Sequence, residues 1–174
     1  TTEPAANENL ADEGIDKDHV HFVGNVMIDT LKKHLPHARS SVEILDELGA
    51  SAAWGASRTD YGVVTLHRAS NVDSLGKLSE LFEALCEISK QIPLVFPLHP
   101  RTRLRLEEAG LLSVSRNNRL FLIPPQGYLN TISLLAGAEL VITDSGGIQE
   151  ETTYLGVPCL TVRENTERPV TISH

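Results

Sequence analysis

The chain has 174 residues, of which 41% are apolar and 22% charged, a composition typical of one soluble globular domain. Its formal net charge of −8 disfavours binding to nucleic acid or to an anionic membrane surface. The longest apolar stretch, residues 132–142, is interrupted by Gly137 and Glu139 and does not predict a transmembrane helix. No secretory signal is visible, and we expect Cys86 and Cys159 to be buried free thiols, so we expect a cytoplasmic protein.

The first 60 residues predict three short helices. Residues 4–14 form the first, Asn25 caps a second that stops at Pro36, and Ser40 or Ser41 begins a third that ends at Gly49. Residues 50–60 are rich in small side chains without a clear period, and we expect a loop there.

From residue 61 onwards, short apolar runs alternate with helical patterns. The predicted strands are 62–66, 94–98, 120–123, 140–143 and 159–162, and the helices are 75–89, 102–109, 128–136, one after Gly147 and one starting near Glu167. Five strands alternating with helices predict an α/β fold, a Rossmann-like parallel sheet with helices on both faces. Ligands of such sheets bind at the carboxyl ends of the strands.

Candidate site residues follow the last apolar residue of each predicted strand and should therefore meet at one rim of the sheet. They are His67, His99, Pro124-Pro125, Asp144-Ser145 and Arg163. A single histidine at such a place is more often structural than catalytic. Two histidines beside arginines and a Gly-Gly turn indicate a functional site.

The stretch from Leu140 to Thr152 predicts an anion site. A strand, a turn at Ser145-Gly146-Gly147 and a helix N-terminus present backbone N–H groups that lack helical partners. A carboxylate in the following turns, Glu150 or Glu151, is able to accept hydrogen bonds from ribose hydroxyls. The alternative is an ordinary strand-to-helix turn with a capped helix.

Several motifs together resemble the UDP-N-acetylglucosamine 2-epimerase family of the non-hydrolysing type. The matching segments are 143–151, 156–158 and 163–169, the His-Arg segment 64–68 with Asn71 and Asp73, 97–101, 125–126 with Tyr128, and 1–10 with Gly24, Asn25 and Asp29. The resemblance covers nearly the whole chain.

The resemblance implies a role for each site residue. His67 is implied to be catalytic, placed near the sugar and the diphosphate, and His99 to lie close to a second, activating UDP-sugar. The implied UDP-binding residues are Arg68, Pro125, Ser145, Gly146, Gly147, Glu151 and Arg168, with Pro125 meeting uracil through its backbone. The alternative role of Arg168 is an ion pair with Glu164 or Glu167 at the start of a helix.

The resemblance also implies a reaction and an architecture. UDP-GlcNAc and UDP-ManNAc interconvert by elimination and re-addition of UDP, without cofactor or metal. Family members have two domains of the GT-B type, so residues 1–20 are implied to be the end of the N-terminal domain and the crossover. Residues 21–174 are then a C-terminal nucleotide-binding domain, incomplete at its C-terminus. The carboxylates that transfer the proton lie mainly in the missing N-terminal domain, so we expect the chain alone to be inactive.

Three alternatives share parts of this pattern. They are a hydrolysing UDP-GlcNAc 2-epimerase, a GT-B UDP-sugar glycosyltransferase and a non-catalytic UDP-sugar-binding module. The expected partners are a UDP-sugar substrate, the missing domain and a second copy in a homodimer, with surface polysaccharide biosynthesis as the expected pathway.

Overall fold

The fold is described from a computed structural model, and the description covers residues 1–50, 54, 60–113, 119–166 and 171. Within these ranges the helices are α1 (Pro4–Asp12), α2 (Val26–His34), α3 (Ser41–Glu47), α4 (Ala69–Val72), α5 (Leu75–Gln91), α6 (Pro100–Glu108), α7 (Tyr128–Ala136) and α8 (Gly146–Leu155). The strands are β1 (Gly62–Thr65), β2 (Leu94–Pro97), β3 (Leu120–Ile123), β4 (Leu140–Thr143) and β5 (Cys159–Thr161). Single 3-10 turns lie at Lys17–His19 and Leu35–His37.

The five strands form one parallel sheet in the order β3-β2-β1-β4-β5. The predicted Rossmann-like α/β fold is therefore confirmed. Strands β2 and β3 follow β1 on one side of the sheet, and β5 follows β4 on the other side. The strand order therefore reverses between β1 and β4, the two strands in the middle. Such a reversal opens a crevice at the carboxyl ends of the strands, where ligands of doubly wound sheets bind.

Alternating side chains along the strands fill two separate cores, one on each face of the sheet. Val64 and Phe96 pack on one face against Phe82 of α5, whereas Val63 and Val95 pack on the other. Both faces are thus covered by helices, which explains why the strands read as continuous apolar runs rather than as alternating ones.

The structure corrects the N-terminal boundary of one helix. Helix α6 begins at Pro100 rather than at residue 102, because His99 precedes it as the capping residue and its Nδ1 accepts a hydrogen bond from the backbone N–H of Arg101 at 3.2 Å. Proline is tolerated in the first turn of a helix, where its missing N–H would have no helical partner.

The loop predicted over residues 50–60 is wrong at two described positions. Ala50 and Trp54 are helical, and both are buried in the core against Tyr61 and its neighbours. The indole of Trp54 stacks on the Tyr61 ring, with 6.3 Å between ring centroids. The helix predicted near Glu167 lies outside the described residues. Among the helices that are described, each is too short or too polar to cross a bilayer.

Candidate functional site

The carboxyl ends of β1 and β4 meet around one fully buried carboxylate, Asp144, which directly follows β4. It accepts hydrogen bonds from the backbone N–H of His67 at 3.0 and 3.1 Å and from that of Arg68 at 2.8 Å. The side chain of Asn71 donates to it at 3.1 Å. These donors, all from the segment that follows β1, hold the two central strand ends together.

The imidazole of His67 also contacts this carboxylate, with its Nδ1 3.1 Å from Asp144 Oδ1. Burial alone would raise the pKa of Asp144, but the hydrogen bonds from His67, Arg68 and Asn71 outweigh it and lower that pKa below its ordinary value. Asp144 is therefore ionised at neutral pH. The sequence places Asp144 at the rim, directly after a predicted strand, but does not indicate its role towards His67.

His67 also lines a cleft of about 180 Å³. Its lining includes His99, Pro125 and Gln126, and the His67 and His99 rings lie 5.9 Å apart, centroid to centroid. The structure thus brings together three of the residues that the sequence predicted for the site: His67, His99 and Pro125.

Arg68 lies on a different side of the same rim. Its Nε donates to the backbone oxygen of Asp144 at 3.3 Å, and its side chain lines a separate cleft of about 410 Å³ with Lys77 and Arg163. The two members of the His-Arg segment therefore face two neighbouring clefts. Arg163, the rim arginine after β5, stands beside Arg68 rather than beside His67.

Helix α8 begins at Gly146, directly after Ser145, so its first N–H groups point towards the rim. The backbone N–H of Ser145 donates to Thr143 Oγ1 at 3.0 Å. A Cβ atom added to Gly147 would lie 2.8 Å from Cε of Met27, the second residue of α2. The glycine therefore admits close approach of α2 to the helix N-terminus, in addition to any role towards a ligand.

The two carboxylates of α8 are both buried, but they face different partners. Glu150, 7% exposed, accepts a hydrogen bond from Asn25 Nδ2 at 2.8 Å. Glu151, 5% exposed, accepts one from the Tyr128 hydroxyl at 3.2 Å and lines a cleft of about 190 Å³ with Met27 and Tyr128. Burial raises the pKa of Glu151 and the Glu150 charge adds to this, whereas the Tyr128 hydrogen bond lowers it; the net pKa is raised.

The predicted residues thus lie around one rim but in three adjoining clefts, with Ser145, Gly146 and Gly147 at the helix start between them. Arg168 lies outside the described residues. Within the described ranges, no three histidine, cysteine or acidic side chains are grouped as metal ligands would be. The arrangement offers hydrogen-bond donors for an anion at α8, an acceptor at Glu151 and an imidazole held by a carboxylate.

Comparison with known proteins bears on the whole chain. The family model described as UDP-N-acetylglucosamine 2-epimerase matches residues 1–174. A UDP-N-acetylglucosamine 2-epimerase of Methanococcus maripaludis is 42% identical over 98% of this chain and 46% of its own length. A UDP-2,3-diacetamido-2,3-dideoxy-D-glucuronate 2-epimerase of Pseudomonas aeruginosa is 39% identical over 93% of this chain and 42% of its own length.

Solved structures agree with the fold. The UDP-GlcNAc 2-epimerase of Methanocaldococcus jannaschii in complex with UDP-GlcNAc and UDP superposes with a TM-score of 0.80 at 38% identity. That match covers 97% of this chain and 46% of the other chain. The chain therefore spans about half the length of the relatives that it matches.

Proposed function

Because this chain belongs to the UDP-N-acetylglucosamine 2-epimerase family, we propose that it is the UDP-binding half of an enzyme that interconverts UDP-GlcNAc and UDP-ManNAc. The observation that carries the proposal is the position of the Asp144–His67 pair at the β1/β4 reversal, beside the N-terminus of α8. This is the place where a parallel sheet binds a nucleotide. The complex of the Methanocaldococcus jannaschii relative with UDP-GlcNAc and UDP supports the choice of ligand.

In the proposed binding mode, the diphosphate lies at Ser145, Gly146 and Gly147, where the helix dipole and the N–H groups favour negative charge. The buried carboxylate of Glu151 accepts from the ribose hydroxyls, and Tyr128 fixes its orientation. The uracil contacts the backbone at Pro125. Arg168, with its planar guanidinium, grips diphosphate oxygens.

The proposed reaction eliminates UDP from C1 as the proton leaves C2, which gives a glycal, and UDP then adds back while a proton arrives on the opposite face. Negative charge develops on the leaving diphosphate, and donors fixed in advance around it stabilise that charge most effectively. We assign this task to Arg68 and the N-terminus of α8, and we place His67 beside the sugar and the diphosphate as the catalytic residue. In this proposal, the carboxylates that move the C2 proton belong to an N-terminal domain outside this chain.

Residues 1–20 in this proposal are the end of that first domain and the crossover, and residues 21–174 are the nucleotide-binding domain. His99, beside His67 at the rim, is proposed to lie near a second UDP-sugar. We further propose that the complete protein is a cytoplasmic homodimer that serves polysaccharide biosynthesis.

The first test is a calorimetric titration of the chain with UDP, compared between the wild type, Arg168→Ala and Arg103→Ala. Arg103 is an exposed arginine whose Nε lies 3.1 Å from Glu107, away from the three clefts, and it serves as the matched control. We expect UDP binding that weakens about tenfold or more in Arg168→Ala, since a charge-assisted hydrogen bond contributes about 1.5–3 kcal/mol, and no change in Arg103→Ala. Equal affinity of the two variants would contradict the assigned diphosphate site.

A second test identifies the reaction. The complete protein is incubated in D2O with UDP-GlcNAc and, separately, with UDP-2,3-diacetamido-2,3-dideoxy-D-glucuronate, because the Pseudomonas aeruginosa relative is nearly as similar as the others. Deuterium at C2 of a product that retains UDP supports the non-hydrolysing epimerase. Release of UDP with free N-acetylmannosamine would identify the hydrolysing alternative, and sugar transfer to an acceptor would identify a glycosyltransferase.

A further inference from the structure

We propose that Asp144 is a positioning residue that holds the imidazole of His67 in the tautomer with the proton on Nδ1, so that Nε2 is the nitrogen presented to the ligand. This deepens the proposed function, because it states how His67 is prepared for its role.

The geometry around the carboxylate places a proton on one particular nitrogen of His67. An ionised carboxylate only accepts hydrogen bonds, so each group in contact with Asp144 has to donate. Its Oδ2 receives the backbone N–H of Arg68 at 2.8 Å and the Asn71 amide at 3.1 Å. The backbone N–H of His67 is shared between the two oxygens, at 3.1 Å from Oδ1 and 3.0 Å from Oδ2. Oδ1 also lies 3.1 Å from His67 Nδ1, which therefore carries a proton.

The surroundings of His67 fit the same assignment. The side chain is 39% exposed, and His67 lines the cleft together with Pro125. The neighbouring titratable ring, His99, uses its own Nδ1 to accept from the backbone N–H of Arg101. In its neutral form His99 thus carries its proton on Nε2, opposite to His67. In their neutral forms, the two rings at this rim are complementary, because His67 offers Nε2 as an acceptor and His99 offers Nε2–H as a donor.

The isosteric substitution Asp144→Asn tests this assignment, because it should change which nitrogen of His67 carries the proton. An amide has one accepting oxygen, and the fixed donors Arg68 N–H and Asn71 Nδ2 both demand it at the Oδ2 position. The amide NH2 group is then left facing His67 Nδ1, which has to accept. We expect the neutral tautomer of His67 to invert, with the proton on Nε2, because a partner on one ring nitrogen dictates the state of the other.

The test is 15N NMR of the histidine side chains in this chain, with the His67 signals assigned by their loss in His67→Gln. The wild type should show a protonated Nδ1 and a bare Nε2, and Asp144→Asn should show the reverse. The matched control is Thr65→Val, which removes the 2.6 Å hydroxyl contact with Thr143 between the same two strands and leaves the contacts of Asp144 intact. Its His67 tautomer should match the wild type.

Three results would overturn the proposal: a wild-type His67 with its proton on Nε2, an unchanged tautomer in folded Asp144→Asn, or an inverted tautomer in Thr65→Val. The wild-type spectrum and the Thr65→Val control decide the matter even if Asp144→Asn does not fold.

Turnover separates this proposal from the proposed function. In the complete protein, Asp144→Asn should lower kcat about 10²–10⁴-fold, the range typical of a mispositioned acid–base group, with little change in KM. Inversion of the tautomer together with unchanged turnover would refute the catalytic role of His67 and leave its positioning by Asp144 standing.

Discussion

Asn25 joins α2 to α8, and its replacement offers a quantitative test of how α2 is held against the proposed diphosphate site. Its Oδ1 accepts from the backbone N–H of Met27 at 3.0 Å and so caps α2, while its Nδ2 donates to buried Glu150 at 2.8 Å. A cap contributes about 0.5–2 kcal/mol and a hydrogen bond to a charged group about 1.5–3 kcal/mol. Asn25→Ala loses both contributions, so we expect a loss of about 2–5 kcal/mol in the free energy of unfolding.

Asn25→Ser separates the two contributions, because serine caps a helix as well as asparagine but carries no amide donor. We expect Asn25→Ser to lose only the Glu150 contribution, about 1.5–3 kcal/mol. The same substitution in a Glu150→Gln background should cost about 0.5–1.5 kcal/mol, since the hydrogen bond there is between neutral groups.

The assay is urea unfolding of the four proteins of this cycle, followed by circular dichroism, with the free energies extrapolated to water. The expected coupling energy between Asn25 and Glu150 is about 1 kcal/mol, within the range found for residues in contact. Equal costs of Asn25→Ser in both backgrounds would refute the reasoning, because they would mean that the charge of Glu150 contributes nothing to this contact.

Two further predictions concern stability. Gly62→Ala in β1 should destabilise the chain by about 1–3 kcal/mol in the same assay, because the added Cβ would lie 2.7 Å from Leu94 Cδ2 of the neighbouring strand. Gly76→Ala is the control and should be neutral or stabilising, because nothing lies within 4 Å of its added Cβ. Equal effects of the two substitutions would contradict the packing described for Gly62. At pH values above neutral, Glu151→Gln should raise the Tm, whereas below about pH 4.3 it should leave the Tm unchanged. The reason is that a carboxyl whose pKa is raised in the folded state destabilises the fold as the pH rises from its unfolded-state pKa to its folded-state pKa. An increase in Tm that persists in acid would contradict this reasoning.

The sequence predicts the sheet well because each strand is a short apolar run buried on both faces. The bounds of β3, β4 and α7 agree with the sequence prediction at every residue. These elements depend on local pattern alone, namely apolar side chains closed off by glycine, proline or polar turns. The predicted ligand residues that the structure describes also reach one rim, since parallel topology brings all strand ends to the same edge.

What the sequence does not predict depends on contacts between distant residues. Asp144 and His67 are 77 positions apart, so their contact becomes visible only once β1 and β4 pair. The division of the rim into separate clefts has the same origin, because Arg68 turns away from His67 to reach the Asp144 backbone. Helix α4 is likewise missed, since its four residues are too few to show a period and Asn71 within it is fixed by Asp144 and the Val162 carbonyl.

The pairing of β1 with β4 also has a consequence for how the chain folds. Thr65 and Thr143, in contact across this pair, are separated by 78 residues, whereas β1–β2 and β2–β3 join strands much nearer in the chain. Closing the longer loop costs more conformational entropy, so this pairing is expected to form after the other two. The crevice lies at the carboxyl ends of β1 and β4, the pair of strands that is expected to form last. A nascent chain would therefore complete this crevice only when β4 has been synthesised and docked. The proposed UDP binding should recover during refolding together with the pairing of β1 and β4 rather than with the first collapse.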